Sequence, residues 1–235
     1  MRHLPCSSGR TRTAAVLLAC TLTALAACGR KHHLSEHIFA NRSMSLVYDA
    51  PPAPQLLTGV HSLRNIDDPM EAVLRAGSGV AREVEGRKAS ARLDSASARV
   101  DVANQLAQRT LERASRYLGT RTASSAEADY LLEVHMRRFG LDVRYQSAAY
   151  LFTEAEAVLL DRRTGREIWS SEVRGTSRLT PFVRGSEHIP AGIITAGTLS
   201  TVSVQDFQQA LDQLVGFSSV LITDELRGAL RDVRR

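Results

Sequence analysis

Lysine is almost missing from this 235-residue chain: of its 30 basic residues, only Lys31 and Lys88 are lysines and the rest are arginines. Arginine suits bidentate recognition of phosphate or carboxylate, but a genome-wide codon bias accounts for the skew more simply. Charges of one sign never gather in a block of five or six, so the electrostatic footprint of a nucleic-acid binder is missing. No apolar run approaches the roughly 20 residues of a membrane-spanning helix. The three cysteines have no paired spacing, which excludes a zinc framework. No Gly-x-Ser-x-Gly elbow and no His-Glu-x-x-His occurs. Gly77-Ser78-Gly79 lacks the following Gly-Lys-Ser/Thr of a phosphate loop. The sequence therefore calls for no metal and no cofactor.

What is present begins with Cys28. Arg2, Arg10 and Arg12 precede an apolar stretch from Ala14 to Ala24, and small residues follow in Leu25-Ala26-Ala27-Cys28. A basic start, a short apolar core and small residues at the cut describe a secretory signal peptide over 1–27. Leu-Ala-Ala-Cys resembles the lipobox of bacterial lipoproteins. That resemblance implies cleavage before Cys28, diacylation of its thiol and, usually, acylation of the new amino terminus. Removal of 1–27 takes away three arginines and no acid, so 27 basic residues face 25 acidic ones, a formal charge of +2. It also takes away Cys6 and Cys20, so no disulfide forms within the mature chain. Gly29, in place of the Asp that retains many such proteins at the inner membrane, implies the outer membrane, facing the periplasm.

Residues 28–43 are polar and without periodicity, and are expected to form the lipidated terminus and a tether. His33 and His37 would share a face of a helix there, either as a metal pair or as ordinary linker residues. A domain is expected over 44–202. Ser45 to Tyr48 predicts a short strand stopped by Pro51, Pro52 and Pro54. Asp68-Pro69 predicts a helix start, and Gly77-Ser78-Gly79 a break in that helix. Val80 to Glu85 continues as helix, while Ser90 to Ser97 is ambiguous. From Val100 to Leu118 the stripe Leu106, Thr110, Ala114 and Tyr117 predicts an amphipathic helix ended by Gly119.

Leu132, Val134 and Met136 alternate with Glu133, His135 and Arg137, the period-two pattern of a strand. A second strand is expected over about 150–160, with Thr153, Ala155, Ala157 and Leu159 on one side. The turn Asp161 to Arg166 leads to a return strand over 167–173. The expected fold class is α+β: a small antiparallel three-strand meander over about 129–173, packed on helices. Ile189 to Val202 is apolar and broken by Pro190, Gly192 and Gly197, a buried loop or a contact patch. Ser203 and Asp206 predict a variant capping box for a helix from Val204 to about Val233 in the C-terminal segment 203–235, about 45 Å long at 1.5 Å per residue. Phe207, Leu211, Leu214 and Leu221 carry its apolar side. They are candidate partner-binding residues if the helix projects, and core if it lies across the sheet.

No set of groups converges on a reaction. His61, His135 and His188 are scattered, and Glu154 and Glu156 share a strand face that a solvated surface explains. Trp169, the single tryptophan, is either an interface anchor or, following general burial preference, core. Ala128-Asp129-Tyr130 entering one strand, then Asp161-Arg162-Arg163-Thr164-Gly165 before a strand that reaches Trp169, resembles the curli-secretion-type lipoproteins. It is also similar to the amino-terminal domain of TolB and to the lipoprotein activators of peptidoglycan synthases. The resemblance implies a small α/β sandwich with a helix before the strand pair. It assigns no functional residue.

These readings together predict a protein held in the membrane by lipid on Cys28, with no nucleic acid as partner. It is expected to act without catalysis, docking an envelope protein partner in transport, secretion or cell-wall synthesis. The alternative is a carrier of lipid or another apolar ligand, as in auxiliary lipoproteins of ABC-type transporters, which needs an apolar pocket between helix and sheet. An enzyme is the third possibility.

Overall fold

Strand β1 (Ser43–Tyr48) enters a six-stranded sheet in parallel with its neighbours, which no pattern in the sequence announced. The computed structural model describes residues 33–58, 84–144, 149–179, 199 and 202–233. After β1 come β2 (Gln55–Leu57), helical residues 84–97 (α1), α2 (Val102–Leu118), β3 (Arg121–Thr122), β4 (Tyr130–Asp142), β5 (Tyr150–Asp161), β6 (Glu167–Arg178) and α3 (Val204–Val233). The strand order is β3-β1-β4-β5-β6, with β2 also on β4. The predicted meander is there, as β4-β5-β6 with antiparallel register. The expectation of a purely antiparallel three-strand sheet is corrected. β1 pairs in parallel with β3 and with the first half of β4, and β2 in parallel with its second half. Pro51, Pro52 and Pro54 fall between β1 and β2 and break what is otherwise one edge, because proline cannot donate to a ladder.

One face of the sheet carries Leu132, Val134, Leu151, Ala155, Ala157, Leu159 and Trp169, all at most 1% exposed. α2 and α3 pack on one another, and both contact the sheet. Asp101 caps α2 by accepting a hydrogen bond from the Asn104 N–H at 2.9 Å, and Gly119 closes it with a left-handed φ of 70°. Ser203 and Asp206 form the predicted capping box: the Ser203 N–H donates to Asp206 Oδ2 at 2.8 Å, and the Asp206 N–H donates to Ser203 Oγ at 3.1 Å. Residues 84–97, ambiguous in sequence over 90–97, are helical because Ala89, Leu93 and Ala96 make a buried stripe at helical spacing.

The tether expectation is corrected over its described part, while residues 28–32 lie outside the described residues. From His33 the chain packs on the domain. The His33 N–H donates to the Ile168 carbonyl at 2.8 Å, and Leu34 and Phe39 are buried. A polar average over the segment concealed these two apolar anchors. The expected helix at Asp68-Pro69, the break at Gly77-Ser78-Gly79 and most of Ile189 to Val202 lie outside the described residues. Leu199 and Val202 are buried, and both their carbonyls accept from Arg92 Nη1 at 3.3 Å.

Candidate functional site

The two motifs that carry the sequence resemblance meet at one end of the sheet. Asp129 stands at the entry to β4. Its Oδ2 accepts from the Ser43 N–H and from Ser43 Oγ, each at 2.8 Å, and its carbonyl accepts from the Arg162 N–H at 3.1 Å. It therefore ties β1, β4 and the β5–β6 turn together. The bonds from Ser43 outweigh burial and, with Arg42 and Arg121 nearby, hold the Asp129 carboxyl below its ordinary range. In the turn, Asp161 Oδ1 accepts from the Arg163 N–H at 2.8 Å and the Thr164 N–H at 3.2 Å. Gly165 takes a φ of 68° that a side chain would resist. Burial raises the Asp161 carboxyl, but these bonds prevail and lower it. The motif residues are joints of the fold.

The same pole receives the incoming chain. His33 Nδ1 lies 2.8 Å from Glu36 Oε1, and Arg166 Nη1 donates to Glu36 Oε2 at 2.9 Å. His37 stacks near Phe39 and Tyr130, whose ring centroids are 4.9 Å apart. Two depressions flank this segment. A polar recess of about 700 Å³ is lined by Glu36, Arg42, Asp129, Asp161 and Arg162 among others. An apolar groove of about 460 Å³ is lined by Leu34, Phe39, Tyr117, Leu118, Leu230 and Val233 among others. Ile38 borders both and is 78% exposed.

The sheet face away from α2 and α3 is charged and cross-linked. Arg137 pairs with Glu156. Glu154 takes Arg138 at 2.6 Å and Arg174 at 3.2 Å. Arg174 also stands 3.8 Å from Asp142, which Arg144 holds at 2.6 Å. Burial raises the nearly enclosed Asp142 carboxyl, and the Arg144 hydrogen bonds with the Arg174 charge outweigh that and lower it. A bulge between Met136 and Arg138 makes this face possible. It leaves Arg137 and Arg138 both exposed and swaps the alternation, so Phe139 and Leu141 point to the core where even-numbered residues did before. The signal was legible as two polar residues in succession followed by Phe139 and Leu141 at period two. His135 lies on this face as the alternation predicts, with Nδ1 2.5 Å from Asp49 and Nε2 3.4 Å from Glu133.

The candidate partner-binding residues are placed otherwise than a projecting helix requires. Phe207, Leu211 and Leu214 are at most 1% exposed, and Leu221 is half-buried against the core. The reason is that α3 turns its apolar stripe onto β6, β5 and α2. Trp169 is core at 1% exposed. Glu154 and Glu156 occupy the charged face. Cys28, His61 and His188 lie outside the described residues. Among the described residues no group of three or more His, Cys, Asp or Glu is placed to hold a metal, and no helix is long and apolar enough to cross a membrane.

No protein-family model matches the chain, and no curated protein does. Solved structures do resemble it at low identity. It is similar to protein XCC0632 from Xanthomonas campestris, at 21% identity over 54% of this chain and 64% of that one, with a TM-score of 0.28. The chain thus spans under two thirds of that protein. It is similar to lipoprotein GNA1162 from Neisseria meningitidis, at 16% identity over 68% of this chain and 93% of that one, with a TM-score of 0.23. It is also similar to PelC from Paraburkholderia phytofirmans, solved as a dodecamer, at 15% identity over 74% and 89%, with a TM-score of 0.27. At scores this low the functional reading rests on the chain's own residues.

Proposed function

We propose that this protein is a lipid-anchored component of the bacterial envelope that docks a protein partner without catalysis. Lipid on Cys28 holds it at the outer membrane, facing the periplasm. The signal pattern over 1–27 and Leu25-Ala26-Ala27-Cys28 support the anchor. The observation that supports docking is the charged sheet face. Arg137 with Glu156, Arg138 and Arg174 with Glu154, and Arg174 with Asp142 form a row of ion pairs across three strands, which offers a partner charges of both signs. Such complementarity gives specificity and orientation more than raw affinity. On α3 the apolar residues Phe207, Leu211 and Leu214 are already covered within the chain, so the charged face is the surface better suited to a partner.

Crosslinking in living cells tests the reading with three tagged forms: wild type, Cys28→Ala, and Arg137→Glu with Arg174→Glu. Support is a reproducible envelope partner for the wild type that weakens without the lipid and disappears on charge reversal, with the circular dichroism spectrum unchanged. A clean monomer in all three forms sinks the docking role. Intact mass of the membrane-extracted chain reports the acyl groups on Cys28 directly.

The carrier alternative is favoured by one feature, the apolar groove of about 460 Å³ at the pole. The seam between helices and sheet is filled by Leu132, Phe139, Leu151, Trp169 and Phe207, each at most 1% exposed. Lipid co-purifying with the Cys28→Ala form would support a carrier.

A further inference from the structure

We infer that the pole bearing Ile38 docks on the bilayer surface, so that the anchored domain has one fixed orientation. The inference rests on the lipid at Cys28. Five peptide units separate Cys28 from His33, where the chain becomes part of the domain through the Ile168 carbonyl. An extended chain covers at most about 3.6 Å per residue, so His33 stays within about 18 Å of the acylated thiol. The five-residue leash confines this pole to the neighbourhood of the headgroups.

The chemistry of the pole matches that surface. Ile38 is 78% exposed, and it stands five residues after His33 with its carbonyl within 3.4 Å of Tyr130 Oη, so the backbone behind it is braced. Tyr117 is 42% and Val233 37% exposed along the same apolar groove. A large exposed aliphatic side chain is an unusual thing to fix at the end of a leash to a membrane, and the interface accepts it by partial burial among the headgroups and upper acyl chains. Tyrosine suits the same depth, with its ring in the apolar layer and its hydroxyl in the polar one. The Arg227 guanidinium lies 5.7 Å from the Tyr117 ring centre, where it is able to reach lipid phosphates while its stem covers apolar surface. Arg30 and Lys31 stand between Cys28 and His33, and basic residues beside a lipid anchor add attraction to anionic lipids.

The test uses the lipidated mature chain reconstituted in vesicles of phosphatidylethanolamine and phosphatidylglycerol. Cys28 is its only cysteine and its thiol is acylated, so Ile38→Cys and, separately, Glu172→Cys each create a single reactive thiol for an environment-sensitive fluorophore. The expected result is a blue-shifted emission at position 38, quenched several-fold more strongly by shallow spin-labelled lipids than the label at position 172. Equal, water-like emission at both positions overturns the docking while leaving the anchor intact. Shielding at position 38 that persists without vesicles points to a second copy or a bound lipid and also overturns it. An intact mass without acyl groups refutes the anchor itself, and the docking with it. A second variant, Ile38→Asp, is expected to retain the lipid and the thermal melt but to raise protease cleavage after Arg30 and Lys31 several-fold on vesicles. Unchanged cleavage counts against the inference.

Discussion

Ser43 and Asp129, 86 positions apart, exchange four hydrogen bonds: two from Ser43 to the carboxylate at 2.8 Å, and two back from the Asp129 N–H, to Ser43 Oγ and to the Ser43 carbonyl, each at 3.0 Å. They join the first residue of β1 to the entry of β4 and so start the parallel pairing. Because the folded Asp129 carboxyl lies below its ordinary value of 3.8, its contribution is present above that value and is lost as pH falls through the lower folded one. Asp129→Asn is expected to melt earlier than wild type at pH 7 and to lose less on acidification. Thermal melts between pH 7 and pH 2.5 check this, and parallel curves for the two proteins would count against it.

Gly175 on β6 faces Ser218 on α3. A Cβ at Gly175 would overlap Ser218 Oγ, while Ser218 Cβ stands 3.5 Å away and Thr153 Cγ2 3.2 Å away. Overpacking of this kind costs about 1–3 kcal/mol, so Gly175→Ala should lower the urea midpoint. Adding Ser218→Ala should recover part of the loss. A double variant as weak as the sum of the singles would mean that the two sites do not touch.

Leu214 is 1% exposed in the core. Leu214→Ala is expected to cost about 2–5 kcal/mol, the range for buried leucines. Leu214→Asp should abolish the cooperative melt. If instead Leu214→Asp melts like wild type and changes only association, α3 does not pack as described.

His135 links the loop after β1 to β4 through Asp49. Burial lowers its ring's proton affinity, but the bonds to Asp49 and Glu133 prevail and raise it above 6.5. A raised folded value means that this stabilisation is full below the unfolded value and is lost as pH rises through the folded one. The His135 ring should therefore titrate above 6.5 by nuclear magnetic resonance, and Asp49→Asn should bring the midpoint down. A midpoint below 6.5 in the wild type would remove the link.

Gly140 sits where β2 comes alongside β4, and a Cβ there would collide with the backbone of Gln55. Gly140→Ala should detach β2. Faster amide exchange at Val143, whose N–H donates to the Leu57 carbonyl at 3.0 Å, would register it, with little change in the β4–β5 ladder. Unchanged exchange at Val143 would show that the edge tolerates the side chain.

Much of the fold was legible because its signals are local. Alternation in 132–136 and 153–159 marked β4 and β5, Gly119 ended α2, and Ser203 with Asp206 began α3. The site was less so. The groove and Ile38 belong to a segment whose composition reads as linker, and Leu34 and Phe39 reveal themselves only when α3 and Tyr130 are brought beside them. Asp161 bonds residues two and three positions on and so is legible in its turn, whereas the work of Asp129 as a joint depends on Ser43, 86 residues away.

By itself the sequence determined the periodicities, the caps, the helix stops and the signal pattern around Cys28, since each depends on residues a few positions apart. Tertiary structure alone decided that β1 and β2 share one edge of β4. It also decided that the bulge at Arg137 exchanges the faces of β4, and that α3 turns Phe207, Leu211 and Leu214 inward. Those outcomes depend on which distant surfaces meet and in what register, and an apolar stripe carries no mark of whether its cover comes from the same chain or from another.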